Sequence, residues 1–195
     1  MNGNHKIANK ISVLIIVILI VTATLSISSS QWKNLFICSL AIASIIFVFI
    51  IEYFFKGKKI LIPPSFVLIT ILFIFCALFL GEILGFYILF WWWDLLLHFI
   101  AGVYLTIIPL YLMQDIVSKN PLTTKKRFTT LTIIFAFSFS ITFGVLWEEF
   151  EFIGDYFFIT TMVKGGLEDT MTDLLIKTLG AFITSIIHYL KNLKL

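Results

Sequence analysis

Six apolar runs, each about 20 residues long and bracketed by charge, dominate this chain. They cover about 11–29, 35–55, 62–81, 94–113, 128–150 and 170–190. About 20 apolar residues in a helix cross a bilayer, and backbone groups in hydrocarbon must bond internally. The runs therefore predict an all-α polytopic transmembrane helix bundle of six spans. Composition agrees: 60% of residues are hydrophobic and only 13% are charged, roughly half the charged fraction of a soluble domain. The whole chain, 1–195, reads as a single integral membrane domain, multi-pass in the plasma membrane, with the lipid bilayer as its first partner.

Lys6 and Lys10 before an apolar core resemble a signal peptide, but the core stays uncharged to Trp32 and is long enough to span. It reads as an uncleaved first helix, with cleavage near Ala23–Ser26 as the alternative. Cys38 and Cys76 lie inside apolar runs without metal-finger spacing and read as small hydrophobes. Pro63 and Pro64 suit the start of the third span, and Pro109 predicts a kink in the fourth. The stretch 83–93 is apolar but short, either interfacial or a continuation of the third helix. Trp91, Trp92 and Trp93 read as an aromatic belt.

Positive residues favour the cytoplasmic side. With the N-terminus inside, Lys6, Lys10, Lys56, Lys58, Lys59, Lys119, Lys125, Lys126, Arg127, Lys191 and Lys194 are all cytoplasmic, 11 of the 14 Lys and Arg. Lys33 and Lys164 fall outside, and Lys177 lies in the sixth span. Both termini are thus predicted to be cytoplasmic. The acids distribute the other way. Glu82, Asp94, Glu148, Glu149, Glu151, Asp155, Glu168, Asp169 and Asp173 map to the outer side, and only Glu52 and Asp115 map inside.

Residues four apart share a helix face. The fourth span places Asp94, His98, Gly102 and Thr106 in line. The fifth aligns Ala136, Ser140, Gly144 and Glu148, with Glu151 and Asp155 near the same face. The sixth aligns Asp169, Asp173 and Lys177, with Gly180 and Thr184 close by. Small residues permit close helix approach, and intramembrane acids face the bundle interior. Together they predict an outward-facing His/carboxylate pocket between the last three spans. Asp173 and Lys177 are spaced for an intrahelical ion pair. Glu149 points about 100° away, and His5 and His188 lie outside the pocket. A hydrogen-bonded network that locks the helices is the competing reading for these residues.

A histidine with several carboxylates suits a divalent metal ion. The candidate ligands are Asp94, His98, Glu148, Glu151, Asp169 and Asp173. The candidate catalytic groups are Asp94, His98, Glu148 and Asp173. No covalent nucleophile, phosphate loop or nucleic-acid motif stands out, and the oligomeric state is not legible.

Three stretches, "DLLLHF", "LWEEFEF" and "EDTMTDLLIKTLGA", resemble the YjdF-like bacterial integral membrane proteins and, more distantly, the VanZ-like family associated with glycopeptide resistance. The resemblance covers about residues 90–185 and picks out Asp94, His98, Glu148, Glu151, Asp169, Asp173 and Gly180. Against the VanZ-like pattern, Glu151 stands in place of an amide and Asp173 in place of Asn. The resemblance implies fold and site more than an activity. "EEFEF" is also similar to the paired glutamates of CAAX-type intramembrane metalloproteases. Here the accompanying Arg is missing and His98 precedes the glutamates, which excludes that family. Three function classes follow: metal-assisted or acid/base chemistry on a lipid-linked or envelope substrate; cation or proton binding and transport; and a non-catalytic envelope-stress or resistance accessory role.

Overall fold

The computed structural model describes residues 3–116, 124–158, 163 and 166–193. Lys119, Lys164 and Lys194 lie outside the described residues, as do the side chains of His5, Lys6 and Asp115. The regular elements are all helical: α1 (Gly3–Ser28), α2 (Trp32–Gly57), α3 (Phe66–Ile74) continued by a π-helical stretch Phe75–Ile83, α4 (Phe86–Leu89), α5 (Trp93–Ile116), α6 (Lys125–Phe158) and α7 (Leu167–Leu193). Six of these helical segments are long and apolar enough to cross a membrane, counting Phe66–Ile83 as one. The protein is a six-span, all-α polytopic membrane helix bundle.

The chain forms two compact units, Met1–Trp93 and Asp94–Leu195. In the first, Cys38, Ala41 and Ile45 of α2 pack with Ala8, Ile15 and Leu19 of α1 and with Val67 and Ile71 of α3. Cys38 and Ala41 are small enough to let the helix backbones close up. Ser12 and Ser26 of α1 hide their hydroxyls by donating to the carbonyls of Ala8 and Thr22 at 2.6 and 2.8 Å, as apolar surroundings require.

Several boundaries differ from the sequence reading for local reasons. The third span begins at Phe66 rather than near 62, because Pro63 and Pro64 stay outside the helix and Pro63 only accepts the Phe66 N–H at 2.9 Å. Its second half widens to π geometry and closes with Leu84 N–H donating to the Phe79 carbonyl, five residues back. Gly85 then adopts φ +74°, a left-handed conformation that stops the helix. The third span therefore ends at Ile83, and the stretch that follows holds the separate turn α4 and does not continue it. The tryptophans do not act alike. Trp91 is 82% exposed, as a belt residue should be, whereas Trp93 is only 9% exposed and packs edge-on against Phe86, centroids 4.9 Å apart.

In the second unit, α6 extends eight residues past the expected end at 150, running on through Glu151, Gly154 and Asp155 with no proline to stop it. Its 34 residues make a rod of roughly 50 Å, longer than the ~30 Å hydrocarbon core. α5 runs unbroken through Pro109.

Candidate functional site

The polar stripes read from sequence are the buried faces of α5, α6 and α7. His98, Gly102 and Thr106 on α5, Ala136, Ser140, Gly144 and Glu148 on α6, and Asp173, Lys177 and Gly180 on α7 are all buried. Glycines set the spacing. A Cβ added at Gly102 would collide with the backbone carbonyl of Lys177, and one at Gly180 would lie 2.5 Å from the carbonyl of Phe99. These backbones touch where side chains would otherwise separate them. The Gly102 carbonyl accepts hydroxyls from two helices, Thr106 of α5 at 2.8 Å and Ser140 of α6 at 3.1 Å.

That contact holds the ionisable groups together at one end of the unit, where α5 begins and α7 begins. Asp94 lies in the first turn of α5, where the helix dipole favours a negative charge. One turn on, His98 Nε2 stands 3.5 Å from Asp94 Oδ1 and 3.7 Å from Asp173 Oδ2 of α7. Across the ring, His98 Nδ1 stands 3.6 Å from Glu148 Oε1 of α6. Lys177 Nζ reaches the same oxygen at 3.7 Å. All four approaches are as long as or longer than a good hydrogen bond. The Nδ1 of His98 and both carboxylate oxygens of Glu148 are buried without a hydrogen-bond partner. The Asp94 side chain retains 30% exposure, against 7% for His98, 6% for Glu148 and 4% for Asp173. The cluster therefore opens at Asp94.

Asp94, His98 and Asp173 place one ligand atom each within 4.8 Å of one another, the one such group of three among the described residues. Ligand atoms held at about 2.1 Å by a tetrahedral ion stand about 3.4 Å apart, close to the 3.5 and 3.7 Å seen on His98. Carboxylate behind the far nitrogen, as Glu148 is here, is the usual support for a metal-ligating histidine. The buried His/Asp/Asp cluster can coordinate a divalent cation.

The other sequence candidates flank this group. Glu151 accepts the indole N–H of Trp147 at 2.8 Å. Asp169 lies one turn before Asp173 on α7, half-buried. Neither belongs to the group of three. Asp155 accepts the backbone N–H of Val163 at 2.9 Å. Glu149 is exposed. The anticipated Asp173–Lys177 pair is replaced by Lys177–Glu148. Gly144 explains the change: its missing side chain makes room for the Lys177 stem, and a Cβ there would lie 2.8 Å from Lys177 Cδ. The stem runs along α6, one turn before Glu148.

Fold and cluster define a multi-pass plasma-membrane protein with a buried histidine–carboxylate centre in its C-terminal half. The chain belongs to the DUF2238 family of predicted membrane proteins, whose pattern matches residues 11–193. It is also similar to an uncharacterized protein of Thermotoga maritima, 33% identical over 116 residues. That match covers 58% of this chain and 56% of the relative, so the chain spans little more than half the length of that protein. No solved structure matches.

Proposed function

We propose that Asp94, His98 and Asp173 hold a divalent cation in an outward-facing pocket, where the protein performs metal-assisted or acid/base chemistry on a lipid-linked or envelope substrate. The observation that supports this best is the placement of His98: two aspartates share its Nε2 face, and Glu148 stands behind Nδ1. A bound ion would supply Lewis-acid polarisation of a carbonyl or phosphoryl oxygen. Glu148 would orient the imidazole and hold or release a proton beside it. Glu151 and Asp169 would reach the ion only through water. Asp94, the most open member, would face the incoming substrate. The positive-inside pattern puts both termini in the cytoplasm and this end outside. The three sequence stretches that carry these residues also lead us to place the chain with the YjdF-like proteins and, more distantly, the VanZ-like proteins.

The buried Lys177–Glu148 pair supports a second reading, in which the cluster binds and passes protons or cations. Proteoliposomes containing the purified protein and envelope lipid extract separate the two. Conversion of a lipid-linked substrate that depends on added divalent metal and is lost in His98→Ala supports the enzyme. Dissipation of a pH gradient without conversion supports transport. If neither occurs, the accessory reading is the one that stands.

A further inference from the structure

An open groove on α6 and α7, at the opposite end from the carboxylates, offers about 400 Å³. Ile133, Ile134 and Phe137 of α6 and Phe182, Ile186 and Tyr189 of α7 form its walls. We infer that this groove binds one acyl chain of an anionic phospholipid whose phosphate rests on Lys126 and Arg127.

Register places the basic residues at its mouth. Lys126 is four residues before Thr130, and Arg127 is three before it. Thr130 lines the groove. Lys126, Thr130, Ile133 and Phe137 thus follow one helical stripe. Lys125, Lys126 and Arg127 are all exposed, and Thr124 caps this first turn through the Arg127 N–H at 3.3 Å. Length fits as well. From Arg127 to Ser138, the deepest α6 residue in the groove, the helix rises on the order of 16 Å, close to the ~15 Å thickness of one hydrocarbon leaflet.

Ser185 supplies an independent observation. It lines the groove, is 5% exposed, and its hydroxyl has no partner. Its neighbour Thr184 satisfies its own hydroxyl on the Gly180 carbonyl at 2.9 Å, the usual solution inside a membrane helix. A buried hydroxyl without an acceptor leaves this wall of the groove open to repacking around an occupant. Basic residues beside a slot between membrane helices are the electrostatic complement of an anionic headgroup.

The test uses the full-length protein in neutral detergent, with dioctanoyl phosphatidylglycerol, dioctanoyl phosphatidylcholine and the acyl-free headgroup glycerophosphoglycerol as probes. Thermal shift and native mass spectrometry are the readouts. The phosphatidylglycerol should bind about thirtyfold more tightly than the phosphatidylcholine, the effect of two basic side chains, and the free headgroup should not bind. Ser138→Trp, which fills the groove from an exposed position, should abolish the shift. Lys126→Gln with Arg127→Gln should remove the preference for the anionic lipid. Equal binding of the two lipids, or equal binding of the headgroup alone, overturns the inference. So does loss of a dimer in Ser138→Trp with lipid binding intact, which would assign the groove to a second copy. If Ser138→Trp does not fold, the Lys126→Gln/Arg127→Gln pair decides, because both positions are exposed.

Discussion

The ammonium of Lys177 lies 3.7 Å from Glu148 Oε1 on the neighbouring helix, although Asp173 is one turn away on its own. The pair joins α7 to α6, and both partners are buried. Removing one member of such a pair leaves an uncompensated charge and costs about 3–5 kcal/mol. Glu148→Gln and Lys177→Met should therefore each lower the melting temperature in detergent, and the double variant should recover most of the loss. Asp173→Asn should show no comparable rescue by Lys177→Met. Equal rescue of Asp173→Asn would return Lys177 to its own helix.

The glycine contacts predict a steric effect. Gly102→Leu and Gly180→Leu force side chains into backbone on the facing helix, an overpacking that costs roughly 1–3 kcal/mol or more. Both should lower thermal stability and weaken metal binding together, because they part the helices that carry His98 and Asp173. Stable variants with unchanged metal affinity would show that the α5–α7 contact does not hold the site.

Glu151 separates sequence proximity from participation. Its carboxylate serves Trp147, and an amide oxygen can accept the same indole N–H. Glu151→Gln should change metal affinity by less than about tenfold, while loss of Glu148 behind His98 should cost about 10–100-fold. Calorimetric titration of each variant measures the difference. A larger loss from Glu151→Gln would move that residue to the ion.

Both termini should be cytoplasmic. The basis is the asymmetry of Lys and Arg over the loops with an even number of spans. Reporter fusions at each end check this, and an external reporter at either end would place the carboxylate cluster on the inner side.

Much of this arrangement was legible in sequence because it rests on two regularities, the length of apolar runs and the four-residue helix repeat. Asp94 and His98 are neighbours by spacing alone, and Gly102, Gly144 and Gly180 marked the faces that meet. The partner of Lys177 was not legible, since it depends on the space beside Gly144 on another helix. Nor was the bond from Trp147 to Glu151, which a helix wheel does not reveal. The end of α6 was missed because hydropathy falls after Phe150 while helix formation does not. The turn at Gly85 was signalled only by one glycine within an apolar stretch, where a helix and a break read alike.

The central claim is that Asp94, His98 and Asp173 form one metal centre. Elemental analysis of the purified protein, after equilibration with Mg²⁺, Ca²⁺, Mn²⁺ and Zn²⁺ and removal of loose ions, tests it most directly when run beside folded His98→Gln and Asp173→Asn variants. The wild type should carry about one divalent ion per chain, and both variants should lose most of it. A wild type without bound metal, or variants that keep it, would contradict the account.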